Sequence, residues 1–186
     1  MLQQFSHFFY RRVNPRLLGL FLLLELFFAG FLLPRCEKWI IPAGAQARIL
    51  DLSFGFTPDH AYKSLRAYEE LGRQRYLLVE SLADTAYPLV YTGLFILLLS
   101  TLLRGIFPES SKWRLLNLWP LVAMLADYAE NAGIISMLAN YPTRLDGAAV
   151  WASSAGIVKW TAVASSAAIA VVALVWRLKN RISNKN

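Results

Sequence analysis

Glu80 and Asp84 stand four residues apart at the start of a long apolar stretch. On a helix that spacing places both carboxyls on one face. The same face continues as Arg73, Tyr76, Glu80, Asp84, Tyr87 and Tyr91, at steps of three or four. A second polar group, Asp127, Glu130 and Asn131, interrupts a later apolar stretch. A carboxylate loses its hydration at membrane depth, so those that occur there face a bundle interior or a cavity. The residue types therefore predict one buried acidic site. In it Asp84 and Asp127 are the acid and base, Glu130 and Asn131 orient them, Glu80 stands alongside, and Tyr91 donates a hydrogen bond.

Three chemistries fit such a site. Neighbouring carboxyls in low dielectric cannot all ionise, so a protonated and an ionised carboxyl coexist and can exchange a proton with a substrate. The oxygens of Asp84, Asp127, Glu130 and Asn131 are also hard ligands of the kind that hold Mg²⁺ or Ca²⁺. A proton or ion path is the third. Structural roles compete with each. Glu25 and Lys159 both fall near mid-depth, and Lys159 requires a carboxylate, Glu25 or Asp127, because a lone ammonium there is unfavourable. Glu80 can pair with Arg73 or Arg75 at the headgroup level, Tyr87 and Tyr91 can be bundle packing, and Pro88 and Pro120 read either as kinks that open space between helices or as tolerated prolines. No G-x-S-x-G, H-E-x-x-H, phosphate-binding glycine loop or other cofactor motif occurs. Cys36 is the only cysteine, which excludes an internal disulfide and a thiolate cluster.

The elements that must position these groups follow from composition. Hydrophobic residues make up 56% of 186, too many for a soluble domain of this length, so the chain reads as an integral membrane protein. The net charge of +7 sits beside the apolar segments, which suits anionic headgroups and not nucleic acid. Four apolar segments, about 17–33, 77–103, 115–140 and 148–176, predict an all-α four-helix membrane bundle forming a single domain. The first is longer than the apolar core of a signal peptide and reads as a retained anchor.

The 34–76 loop is predicted to be extramembrane. Within it Thr57 caps a helix whose first residue is Pro58, and Tyr62, Leu65, Tyr68 and Leu71 recur at helical spacing. This short amphipathic helix is expected to act as a lid until Gly72 interrupts it. Residues 1–16 read as an aromatic, basic foot at the interface. Ala152, Gly156, Ser166 and Ala170 give the fourth segment a small-residue face for close packing.

Basic residues near the N-terminus, in the 104–114 connection and in the C-terminal tail (Arg177, Lys179, Arg181, Lys185) place both termini on the cytoplasmic side of a bacterial inner membrane, although the 34–76 loop is basic too. The leading functional expectation is an enzyme or binder acting on an apolar lipid or isoprenoid that enters laterally. An accessory subunit of a larger membrane complex is the rival expectation, and a proton-coupled carrier is the third. The expected partners are the bilayer, a lipid-like ligand, and either partner subunits or a second copy of the chain, with no nucleic acid.

Overall fold

The computed structural model describes residues 2–183 and is all-α within them. Lys185 and the side chain of Arg181, counted above with the basic tail, lie outside the described residues. Four helical stretches are long and apolar enough to cross a membrane: Pro15–Ile40, Glu69–Arg104, Lys112–Asn140 and Asp146–Asn180. They pack as a bundle, so the predicted fold class holds, with every span longer than the sequence suggested.

The first span runs past its expected C-terminal limit. It is built from α2 (Pro15–Phe27), a widened π turn (Phe28–Leu32) and α3 (Leu33–Ile40). Pro34 was expected to end it. Proline removes one backbone donor and crowds the carbonyl four residues back. The helix absorbs this by widening before the proline, where Leu33 N–H reaches back five residues to Phe28 O. Trp39 and Ile40 are therefore the last turn of the span, and Cys36 lies inside it.

The amphipathic helix α4 (Pro58–Ala67) begins as predicted, with Thr57 Oγ1 accepting from His60 N–H at 3.2 Å and Pro58 at the first position. It buries Tyr62 and Leu65 and exposes Lys63 and Arg66. The break before α5 (Glu69–Arg104) falls at Tyr68–Glu69 and not at Gly72. Glu69 has φ +60, a left-handed conformation that is strained for a residue with a side chain. Gly72 lies inside α5, where a Cβ would collide with the carbonyl oxygen of Ile40; its role is close approach to the end of the first span.

The third span also corrects the sequence reading. A 3-10 turn, Lys112–Leu118, precedes α6 (Pro120–Asn140), so Pro120 is the first residue of a helix and not a kink. Asn117 lies in that turn. It accepts from Ser6 Oγ at 2.7 Å and donates to Ser100 Oγ at 2.9 Å, fastening α1 (Leu2–Arg12) to α5. Tyr10 is buried and donates to Arg114 O at 2.9 Å, while Phe5 and Phe8 stay exposed, so the foot is a docked helix with one apolar face free.

Helices α6 and α7 (Asp146–Ser183) pack most intimately. A Cβ on Gly133 would lie 2.8 Å from Ala152 Cβ, and Ala152, Gly156, Ser166 and Ala170 are all buried. The small-residue face of the fourth span is thus a helix-packing face, as expected. Both termini pack at the Arg104 end of α5, through Tyr10 with Arg114 and Arg177 Nη1 with Thr101 O at 2.9 Å. The long loop closes the opposite end.

Candidate functional site

Helix α5 turns Tyr76, Glu80, Asp84 and Tyr91 into the bundle, all of them buried. Asp127, Glu130 and Asn131 of α6 are buried on the facing side. Lys159 of α7 completes the cluster. Its Nζ lies 2.5 Å from Glu130 Oε2 and 3.6 Å from Asp127 Oδ1. Of the two partners expected for Lys159, Asp127 is present and Glu25 is not. Glu25 instead accepts from the Tyr87 hydroxyl at 2.9 Å, with Tyr87 stacked on Phe28. Gly156 makes the Lys159–Glu130 pair possible, because a Cβ there would collide with the Glu130 carboxyl.

Asn131 is tied to the backbone of α5. Pro88 lies inside α5 and has no N–H, so the carbonyl of Asp84, four residues earlier, loses its helical donor. Asn131 Nδ2 supplies that donor at 3.1 Å. The neighbouring carbonyl, Thr85 O, accepts from the Tyr128 hydroxyl at 3.1 Å. Two α6 side chains thus support the backbone that proline weakens, and they hold it at the turn that carries Asp84. Asn131 thus meets the main chain at Asp84.

The largest departure from the sequence reading is Asp51. Residues 51–56 read as an exterior turn. The short 3-10 segment Leu50–Leu52 instead dips into the end of the bundle, where Leu50 and Asp51 are buried. The Tyr76 hydroxyl accepts from Leu50 N–H at 3.0 Å and donates to Asp51 Oδ1 at 3.3 Å. The main-chain oxygen of Asp51 accepts from Lys159 Nζ at 3.0 Å and from Trp160 Nε1 at 3.3 Å. Irregular backbone is tolerated at such a place because it lines a cavity inside the protein. Burial pushes the Asp51 carboxyl above the usual carboxylate range, with the Lys159 ammonium and the Tyr76 hydroxyl pulling it back.

A cavity of about 390 Å³ opens beside this cluster. Asp51, Asp84, Tyr87, Tyr91, Asp127 and Lys159 line it together with Glu25 and Glu37 of the first span, and Ala29, Leu33, Phe95 and Val163 are among its apolar lining. The Tyr91 hydroxyl donates to Asp127 Oδ2 at 2.9 Å. Of the six residues assigned to the acidic site from sequence, Asp84, Asp127 and Tyr91 reach the cavity. Glu80, Glu130 and Asn131 lie behind it. Arg73 does not reach the site, since it stacks on Tyr141 and donates to Leu65 O at 3.1 Å. Helix α4 does not cover the cavity either: it packs over the α6–α7 turn through Tyr62, whose hydroxyl accepts from Leu145 N–H at 2.5 Å. The covering element is the Leu50–Leu52 segment.

Sequence reasoning missed Asp51 as a site residue and treated Lys159 only as half of an ion pair. The apolar neighbours of Asp51, Leu50 and Leu52, were the only signal that this part of the loop turns inward. Comparison with family models, with curated proteins and with solved structures finds no match for this chain.

Proposed function

We propose that the cavity binds a lipid-like molecule and that the protein is a small membrane enzyme or binder acting on its polar head by acid–base chemistry. The observation that carries this reading is a cavity whose lining joins paired polar groups, Asp127 with Lys159 and Tyr91, to apolar side chains such as Ala29, Leu33, Phe95 and Val163. Its volume suits a small ligand or the head and first carbons of a lipid. Helix α2 rests chiefly on α5 and leaves its flank toward α7 open, which supports entry from the bilayer side. Asp127, held by Lys159 and Tyr91, is the group best placed to exchange a proton with the head, and Tyr91 is the donor beside it. Asp84 faces the same space.

Mass spectrometry of the chain purified from its own membranes tests the reading. A retained lipid-like molecule is expected in the wild type, and Val163→Trp, which fills the apolar side of the cavity, should lose it. Identical bulk lipids in both would contradict the proposal. Constant co-purification of other subunits, without a retained lipid, would put the accessory-subunit reading ahead.

The same proposal places both termini in the cytoplasm of a bacterial inner membrane and the connection between the first two spans, 41–68 with α4, outside, on the strength of the basic residues flanking the spans. Cys36 is half-buried within a span and is a poor reporter. Lys63→Cys in a Cys36→Ser background, on the exposed face of α4, should react with an impermeant thiol reagent in intact cells. Reaction only after permeabilisation would invert the orientation.

A further inference from the structure

The buried charge of the cluster does not balance with protein groups alone. Asp51, Glu80, Asp84, Asp127 and Glu130 are all buried, and Lys159 is the buried ammonium among them. Lys159 is committed to Glu130 and Asp127. Tyr76 has a single hydroxyl proton, which serves Asp51. Both carboxyl oxygens of Glu80, which is fully buried, have no hydrogen-bond partner among the described residues, and neither has Asp84 Oδ2. A buried polar atom without a partner is strongly disfavoured, so these oxygens call for a ligand.

Their geometry says which kind. One carboxyl oxygen from each of Asp51, Glu80 and Asp84 lies within 4.8 Å of the other two. A cation at about 2.0–2.6 Å from each oxygen fits a triangle of that size, and carboxylate oxygens are hard ligands suited to Mg²⁺, Mn²⁺ or Ca²⁺. Glu80 and Asp84 come from successive turns of α5, a rigid base. Asp51 arrives on the inserted loop segment and closes the third corner. Asp51 and Asp84 also line the cavity, which gives an ion a route in and leaves room for water on its open side.

We propose that Asp51, Glu80 and Asp84 form a divalent-cation site that ties the Leu50–Leu52 segment to α5. The ion replaces mutual repulsion among three carboxylates with attraction to a common centre. It makes seating of the loop depend on metal. With the ion bound, Asp84 is a ligand, and proton exchange in the cavity rests on Asp127 and Tyr91. The site stands on its own residues and does not require that the cavity take a lipid.

The test uses the full chain, stripped with chelator and placed in nanodiscs of neutral phosphatidylcholine, titrated with Mn²⁺ and followed by electron paramagnetic resonance. The wild type should bind Mn²⁺ at a site that Mg²⁺ or Ca²⁺ competes for, and its melting temperature should rise with the ion. Glu80→Gln should weaken Mn²⁺ binding by more than about tenfold, since even loss of an outer partner of a metal ligand weakens binding by about 10–100-fold. In chelator the same variant should melt at or above the wild-type temperature, because it removes a buried charge that lacks a partner. Should Glu80→Gln fail to fold, Asp51→Asn, which alters the loop and not the bundle, should give the same loss of binding. Glu109→Gln, on an exposed side chain, should bind as the wild type does. Absence of Mn²⁺ binding above that of protein-free nanodiscs would overturn the proposal, and so would binding unchanged in both Glu80→Gln and Asp51→Asn.

Discussion

Lys159 holds the polar cluster together. Its ammonium faces Glu130 and Asp127, and its remaining donor capacity goes to the main-chain oxygen of Asp51. One side chain thus joins α7 to α6 and to the inserted loop. Lys159→Met should therefore destabilise the protein by about 3–5 kcal/mol, the usual effect of leaving a buried charge without its partner. Adding Glu130→Gln should recover much of that loss, as read from unfolding of both single variants and the double variant in detergent. Purely additive losses would show that the two groups do not interact. At this scale the sequence was partly legible. A lysine within an apolar helix demands a carboxylate, and Asp127 was a correct candidate. Glu130 as its nearest partner was not legible, because that pairing depends on the space left by Gly156, and Gly156 had been read only as part of a smooth packing face.

The decisive feature among the elements is the support of α5 by α6. Pro88 frees the Asp84 carbonyl, and the Asn131 amide takes it up. The two residues form a complementary pair on different helices. Asn131→Leu should destabilise the bundle by about 1–3 kcal/mol, the range for stranding a buried polar group. In a Pro88→Ala background the backbone N–H of residue 88 returns to Asp84 O, and the same Asn131 change should have a clearly smaller effect. Equal effects in both backgrounds would show that Asn131 serves some other group. Spans and caps were readable from local pattern, as at Thr57, where side-chain chemistry decides the helix start. Pro34, Gly72 and Pro120 were misread for one common reason. A proline or glycine signals a break only when nothing nearby absorbs the irregularity. Here a π turn, a close contact with Ile40 and a helix N-terminus absorb them.

In the whole molecule, four spans and an inserted loop segment create a cavity that no single helix encodes. The apolar segments and the inward face of α5 were legible because each repeats within one stretch of sequence. The cavity was not, since it requires α2 to lean on α5 while leaving its flank toward α7 open, and requires Asp51 to fold back from a loop. The occupant we propose for this space is a discrete lipid-like molecule held beside Asp127. A photoactivatable amino acid at position 163, inside the cavity, compared with one at position 172, on the exposed face of the same helix, tests this in native membranes. Position 163 should label one or a few lipid-like species far out of proportion to their abundance, while position 172 should label bilayer lipids as they occur. Labelling in proportion to abundance at both positions would contradict the proposal.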